Sequence, residues 1–171
     1  MSKVYVIGDL HFGHRQVTRF RKEFESDTHH EEHIMDNWND LITKRDIVYV
    51  MGDAAFDMVG LAKIGKLPGI KYLVRGNHDK LTAAEYLYVF DDVYGIIAHK
   101  GIWLSHAPIH VQELWGRPNI HGHVHFNTIP DDWYFNVSAE NIGYTPKDFY
   151  EIRATLFNRC GIIKESERQP L

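Results

Sequence analysis

The chain has 171 residues, of which 44% are hydrophobic and 25% charged, a composition typical of a folded globular domain and not of a disordered or fibrous chain. Its formal net charge of −4 provides no basic field, which argues against a stoichiometric DNA or RNA binder but leaves room for a nuclease with a local basic patch. The single cysteine, Cys160, excludes an intrachain disulfide and is typical of a reducing compartment.

The beginning of the chain carries no targeting pattern. The stretch Met1–Ile7 is too short and too quickly polar for a signal peptide, and no transmembrane run follows it. We therefore expect a cytoplasmic protein with no membrane partner. The length suits one domain over residues 1–171, in which the polar residues 165–171 form a frayed tail.

Predicted strands and helices alternate in the first half of the chain. The continuous apolar run at residues 4–7 is typical of a central strand covered on both faces, and the largely apolar segments 47–51 and 70–75 predict two further buried strands. Residues 28–43 have apolar side chains at helical spacing after a capping-box pattern, and residues 59–67 predict a shorter helix. This alternation predicts βαβ units and a parallel sheet.

Shorter elements are predicted in the rest of the chain. Residues 16–24 are predicted to be helical, with Val17, Phe20 and Phe24 on one face. The remaining predictions are a helix at 84–90, a hairpin of 93–97 and 102–104, a strand at 133–137 and a final helix at 146–158.

Polar side chains that can bind metal follow the predicted strands. Because residues two apart in an extended segment point to the same face, Asp9 with His11 and His123 with His125 are each expected to form a two-ligand unit. Open α/β sheets place their ligands at strand ends of this kind. The whole set consists of Asp9, His11, Asp53, Asn77, His78, His106, His123 and His125.

The chemistry of this set predicts a dinuclear metal site. It is rich in imidazole and carboxylate and has no thiolate, which suits Mn²⁺, Fe²⁺/³⁺, Ni²⁺, Co²⁺ or Zn²⁺ better than Ca²⁺. It exceeds the roughly four ligands of one tetrahedral site. Two metals that share a carboxylate fit, and Asp53, alone at its strand end, is the expected bridge. Each of these short segments alone also suits a polar turn. Because all five of them follow predicted strands, the dinuclear metal site is favoured.

The ordered motifs resemble those of the calcineurin-like metallophosphoesterase superfamily. They extend over nearly the whole chain, from Val4 to about Ile152, and the segments 9–14 and 136–146 resemble a compact bacterial and phage branch. The motifs are Asp9-Leu10-His11, Gly52-Asp53, Gly76-Asn77-His78-Asp79, Leu104-Ser105-His106-Ala107-Pro108 and His121-Gly122-His123-Val124-His125.

The resemblance implies a four-layer α/β-β/α sandwich, in which two mixed sheets are flanked by helices and the metals lie above the strand ends. It assigns one metal to three residues and the second metal to three others, with Asp53 between them. The first three are Asp9, His11 and His125, and the second three are Asn77, His106 and His123.

The same resemblance gives two more residues a catalytic role. His78 would face the substrate and assist the leaving group, and Asp79 would steady His78 or its loop. The chain departs from many phosphoprotein phosphatases after the bridging carboxylate, where residues 54–56 are Ala-Ala-Phe. This departure argues against protein-phosphatase activity.

The expected function is hydrolysis of a small phosphate ester by a hydroxide that bridges two divalent metals, with manganese expected first. The chain has no room for a large cap domain, so the site is expected to be open. An open site favours a phosphodiester substrate. The alternatives are a phosphomonoesterase, a nuclease or nucleotide phosphodiesterase, and a non-catalytic metal-binding scaffold. The complete ligand set disfavours the scaffold.

Nucleic acid would be a substrate only, contacted by Arg75, Lys80, Trp115, Arg117 and Trp133. The protein is expected to be a monomer or a homodimer.

Histidines outside the motifs carry weaker expectations. His14 and His110 lie near the motifs and are candidates for contact with substrate or with the metal ligands. His29, His30 and His33 fall at the start of a predicted helix, where a solvent-exposed face is expected.

Overall fold

The computed structural model describes residues 2–162, which form two mixed β-sheets and four α-helices. The frayed tail predicted at 165–171 lies outside these residues. Within the described part of the chain, none of the helices combines the length and the apolar character that crossing a membrane requires.

The first sheet has five strands in the order β4-β3-β2-β1-β9. Strands β1 to β4 are parallel, and β9 is antiparallel to β1. The predicted parallel sheet is thereby confirmed. Its apolar strands β1 and β2 are buried almost throughout, as the continuous apolar runs require. The strands are β1 (Val4–Ile7), β2 (Ile47–Val50), β3 (Ile70–Val74), β4 (Asp92–Tyr94) and β9 (Lys147–Asp148).

The second sheet has four strands in the order β5-β6-β7-β8. Strands β5 and β6 form an antiparallel hairpin, whereas β6, β7 and β8 are parallel. Lys100 and Gly101 form its two-residue turn with φ of 48° and 80°, the left-handed pair that matches strand twist. The strands are β5 (Ile96–His99), β6 (Ile102–Ser105), β7 (Asn119–His121) and β8 (Tyr134–Asn136).

The predicted hairpin was wrong in one arm. The segment 93–97 does not form a single strand, because Val93 and Tyr94 pair with β3 in the first sheet, while Ile96 and Ile97 pair with β6 in the second. Gly95 separates the two strands and lets the chain pass from one sheet to the other.

All four helices begin at side-chain caps, and three of them occupy the predicted segments. Ser26 accepts a hydrogen bond from the His29 amide, Asp57 accepts one from Gly60, and Asp148 accepts two at the start of the last helix. The helix predicted at 84–90 is shorter than expected, a single turn. The helices are α1 (Asp27–Leu41), α2 (Met58–Gly65), α3 (Ala83–Tyr86) and α4 (Phe149–Arg159).

The helix predicted over residues 16–24 is wrong. The structure contains only a short 3₁₀ turn at Val17–Arg19, and Phe20 is 70% exposed although Val17 and Phe24 are buried. The physical reason lies at Arg21, whose side chain is buried against the carbonyl oxygens of Asp9 and Leu10. This orientation is incompatible with the predicted apolar face.

Buried side chains of both sheets form one continuous cluster. Ile34 and Trp38 of α1 and Phe149 of α4 belong to it together with residues of both sheets. The sheets are also joined through the backbone, because the Gly8 amide donates to the Val137 carbonyl at 2.8 Å and Gly8 pairs with Ser138. The ends of β1 and β8 therefore lie side by side.

Candidate functional site

The candidate site lies where parallel strands of both sheets end. Asp9, Asp53 and the 76–79 segment follow β1, β2 and β3, while His106 follows β6 and His123 and His125 follow β7. Two hydrogen bonds connect these ends across the sheets. His106 Nδ1 lies 2.8 Å from the Met51 carbonyl, and the His123 amide donates to Asp9 Oδ2 at 2.9 Å. The structure thus brings together the metal ligands expected from the sequence.

The backbone at the ligands differs from the expected extended conformation. Asp9, His11, Asp53, His123 and His125 have φ of 56°, 57°, 49°, 72° and 51°, in the left-handed region. The argument that residues two apart point to the same face of a strand was therefore wrong. Few residues other than glycine adopt this conformation, and its concentration here is typical of a functional site.

Two glycines of the motifs allow backbone to approach carboxylates. A Cβ atom on Gly76 would lie 2.3 Å from Asp53 Oδ1, and one on Gly122 would lie 2.4 Å from Asp9 Oδ2. Any side chain at either position would displace a carboxylate. The glycines before Asn77 and His123 are therefore required by the packing of the site.

Asp9, His11 and His125 form a first ligand cluster. Candidate ligand atoms of the three residues lie within 4.8 Å of one another, with Asp9 Oδ1 and His11 Nε2 3.9 Å apart. These two atoms are buried and have no hydrogen-bond partner among the described residues. Because buried polar atoms normally have partners, the arrangement fits a bound cation.

Asn77, His106 and His123 form a second ligand cluster. Nε2 of His106 lies 2.9 Å from Asn77 Oδ1 and 3.1 Å from His123 Nδ1. The other nitrogen of His106 faces the Met51 carbonyl and therefore donates to it, so Nε2 is the nitrogen available to a cation. Since Asn77 Oδ1 is also an acceptor, the close approach fits a cation that both atoms bind.

Asp53 lies between the two clusters, as a bridging ligand should. Its Oδ2 is 3.7 Å from His11 Nε2, and its Oδ1 is 3.5 Å from His106 Nε2. The side chain is 1% exposed. Each carboxylate oxygen thus faces one cluster.

The electrostatics of Asp9 and His11 favour the protonation states that bind metal. Burial alone would raise the pKa of Asp9, but the neighbouring histidines His11, His106 and His125 lower it to about 2. Burial lowers the pKa of His11. Asp9 is therefore ionised and His11 neutral at pH 7, and these are the forms that coordinate a cation.

The sequence did not reveal a buried ion pair that supports His125. Glu140 Oε1 lies 2.9 Å from His125 Nδ1 and also accepts from Nε of Arg21 at 2.9 Å. The hydrogen bond to Glu140 raises the pKa of His125. A carboxylate on one nitrogen orients the ring and leaves the other nitrogen for the metal. Glu140 and Arg21 lie outside the motifs, and only their burial identifies them.

His30 extends this network, so its predicted exposure was wrong. The side chain is fully buried, and its Nε2 lies 2.5 Å from Nη1 of Arg21. Burial, together with the Arg21 charge, lowers the pKa of His30 to about 3. His30 is thus a neutral acceptor for Arg21. His29 and His33 are exposed as expected.

Asp79 fixes the loop around the bridging carboxylate. Its Oδ2 accepts from the amides of Asp53 and Gly76, and its Oδ1 accepts from the Ala54 amide and the Tyr86 hydroxyl. Burial raises the pKa of this carboxyl group. Of the two roles expected for Asp79, these contacts match the support of the loop.

His78 is exposed beside the candidate metal ligands. Its amide donates to Asp53 Oδ1 at 2.8 Å, which fixes its backbone to the bridging carboxylate. Its ring stacks on Phe56 with centroids 5.4 Å apart and 21° between planes. The imidazole therefore has a defined orientation and remains accessible to a substrate.

Other residues with expected substrate contacts divide into two groups. His14 lines a cavity together with His11 and His78. By contrast, His110 accepts from the Gln112 amide at the start of a 3₁₀ turn. Arg75 donates to the carbonyl oxygens of Asp79 and Leu81, so its guanidinium holds the loop together.

The chain is similar to proteins from an archaeon, a phage and a bacterium. An uncharacterized protein of Methanocaldococcus jannaschii is 30% identical over 165 residues, which cover 85% of this chain and 86% of that protein. The Gene 66 protein of Mycobacterium phage L5 is 29% identical over 73% of this chain and 78% of its own. No family model matches the chain.

A solved structure has a similar fold. The crystal structure of a protein of unknown function from Aquifex aeolicus superimposes with a TM-score of 0.75 and 29% identity, and covers 90% of this chain and 99% of the other. The α/β arrangement with two mixed sheets is therefore found in a second protein.

Proposed function

The chain belongs to the same family as the uncharacterized Methanocaldococcus jannaschii protein, and we propose that it is a dinuclear metal-dependent phosphoesterase. The proposal includes the four-layer α/β-β/α sandwich of the calcineurin-like metallophosphoesterases. Two observations support the proposal: the ordered motifs of the sequence and the geometry of their side chains at the strand ends. Phosphodiesters are the favoured substrates.

One observation carries this proposal. Lone-pair atoms of two ligand clusters converge on opposite oxygens of one buried carboxylate, Asp53. Converging acceptors repel one another unless a cation lies between them, and two cations at the spacing set by one carboxylate suit phosphoryl transfer. The mixture of imidazole, carboxylate and amide oxygen suits Mn²⁺ first, with Fe, Ni, Co or Zn as alternatives.

The residues of the chain divide the chemistry between them. Bound divalent cations would activate water as the nucleophile and neutralise the charge on the phosphate oxygens. Asp9, Asp53, Asn77 and the ligand histidines would hold the cations, and Asp79 keeps the Asp53 loop in place. His78 donates a proton to the leaving oxygen, which would otherwise depart as an alkoxide. Its stacking on Phe56 orients the ring for this transfer.

Metal analysis and a substrate panel test this function directly. We expect the purified protein, reconstituted with Mn²⁺, to retain two equivalents of metal. It should hydrolyse bis(p-nitrophenyl) phosphate faster than p-nitrophenyl phosphate, and EDTA should abolish both activities. A protein that retains two metals but hydrolyses neither ester, nor a dinucleotide, would instead be a binding scaffold.

A further inference from the structure

A cavity with aromatic walls adjoins the first ligand cluster. Its volume is about 580 Å³, within the range of pockets that bind small molecules. Its lining includes two metal ligands, His11 and His125, together with His78. A substrate whose phosphorus lies at the metals would therefore extend one of its substituents into this cavity.

Three phenylalanines give the cavity its character. Phe20 is 70% exposed and Phe126 is 60% exposed, and both line the cavity with Phe56. The Phe56 ring is held in place by the edge of His14, with centroids 4.6 Å apart and 84° between planes. Exposed apolar surface that is grouped around a cavity indicates a ligand site, whereas a single exposed phenylalanine would not.

A cavity on the other side of the site has a different lining. It measures about 400 Å³ and adjoins the second ligand cluster at Asn77, His106 and His123. Ile96 and Ala107 are among its other lining residues, which include no phenylalanine, tyrosine or tryptophan. The two substituents of a phosphodiester would thus meet different surroundings, aromatic on the His78 side only.

Resting on the proposed function, we infer that the aromatic cavity binds a flat aromatic group, of nucleobase size, on the leaving alcohol of a phosphodiester. The leaving side is assigned because His78, which donates the proton to the leaving oxygen, lines this cavity. Phenylalanine rings stack on any base and offer it no hydrogen bonds, so recognition is independent of base identity. Arg19 also lines the cavity, and its guanidinium can contact the face of an aromatic ligand.

A set of matched dinucleotides tests this inference. The reference substrate is thymidylyl-thymidine. In each of two analogues, a tetrahydrofuran residue replaces one of the two nucleosides, so that the base on that side of the phosphodiester is absent. The leaving alkoxide is nearly unchanged, so only stacking differs. With the Mn²⁺-loaded protein, we expect kcat/KM to fall by about 5- to 150-fold when the base on the leaving side is missing, as expected for one stacked base. Loss of the other base should have a smaller effect.

Three variants locate the effect. Phe20→Ala and Phe126→Ala should each move the ratio of kcat/KM between thymidylyl-thymidine and the leaving-side analogue toward one. Both side chains are exposed, so folding is not at risk. Tyr88→Ala is the matched control, because Tyr88 is 81% exposed and lies outside the cavity, and it should keep the wild-type ratio.

The possible failures are distinguishable. If no dinucleotide and no nitrophenyl ester is hydrolysed, the proposed function is wrong. If the dinucleotide and both analogues are hydrolysed equally well, the phosphodiesterase function stands and the inference about the cavity is overturned. A ratio that keeps its wild-type value in both phenylalanine variants also overturns it.

Discussion

The two ligand clusters differ in how the protein supports them. In the first cluster, His125 is hydrogen-bonded to Glu140, which is ion-paired with the buried Arg21. In the second cluster, Asn77 and His123 are exposed, and His106 is oriented by a main-chain carbonyl. The first cluster is therefore supported by buried charges, whereas in the second a buried main-chain carbonyl orients His106 and the other two residues are exposed.

This difference leads to an expectation about metal affinity. Ligands that are oriented before the metal arrives lose less conformational freedom on binding, so the first cluster should bind metal more tightly. The exposed second cluster should exchange its metal more readily.

Removal of the shared carboxylate should affect both clusters. Asp53→Asn keeps the size of the side chain and removes its charge, so we expect loss of at least one metal and of detectable esterase activity. Elemental analysis after reconstitution measures the metal content. Asp36→Asn, on an exposed position of α1, is the matched control. Retention of two metals by Asp53→Asn would refute the bridging role.

A change at His78 should leave both clusters intact. His78→Ala is expected to retain two metals but to lower kcat on an alkyl phosphodiester by roughly 10²- to 10⁴-fold, which is the usual contribution of a general acid. Bis(p-nitrophenyl) phosphate serves as the control substrate, because its leaving group needs little protonation. Full activity of the variant on the alkyl ester would disprove the assignment.

A change at Glu140 should weaken only the first cluster. Glu140→Gln removes the charge behind His125, and we expect about 10- to 100-fold weaker Mn²⁺ binding in one of two calorimetric steps. In a protein that also carries Asn77→Ala, which weakens the second cluster, Glu140→Gln should weaken the remaining Mn²⁺-binding step by the same factor. Glu151→Gln, on the exposed side of α4, is the control. Equal weakening of both steps in Glu140→Gln would contradict the asymmetry between the clusters.

The buried network behind the first cluster should also make stability depend on pH. The pKa of His30 is lowered to about 3 in the folded protein, whereas an unfolded histidine titrates near 6.5. The unfolded state therefore binds the extra proton first, and stability should fall as the pH drops below about 6.5 toward 3. For each extra proton that the unfolded state binds, the free energy of unfolding changes by about 1.4 kcal/mol per pH unit.

His30→Gln tests this contribution in metal-free protein. Between pH 6.5 and 4.5, the free energy of unfolding measured with urea should fall less steeply with pH in the variant than in the wild type. The difference in slope should be at most about 1.4 kcal/mol per pH unit, the contribution of one proton. His33→Gln, at an exposed position of the same helix, should keep the wild-type slope. Identical slopes in wild type and His30→Gln would show that His30 does not stay neutral in the fold.

The sequence predicted the parts of the fold that depend on local pattern. The apolar runs of β1, β2 and β3 and the capped helix α1 occur where they were expected, because continuous apolar stretches and helical periodicity are local properties. It failed at residues 16–24 and at Gly95. In both places long-range contacts decide the structure: the burial of Arg21 against Asp9 and the passage of the chain between two sheets.

The structure brings the candidate ligands together in a different way from the one that the sequence suggested. Residue chemistry and order along the chain singled out Asp9, His11, Asp53 and their partners as candidates, yet the expected extended geometry was wrong. Left-handed backbone, and glycines such as Gly76 that leave room for a carboxylate, bring these side chains together. Backbone conformation of this kind depends on surrounding contacts and has no simple sequence pattern.

Ligand chemistry belongs to the side chain, so the amino-acid sequence was enough to propose which residues bind metal. How these residues are supported, and what lies beside them, became visible in the folded structure. Glu140, Arg21 and His30 come from segments far apart in the chain, as do Phe20 and Phe126 around the cavity. Burial and the distances between such segments exist only after folding, because they depend on contacts between residues distant in sequence.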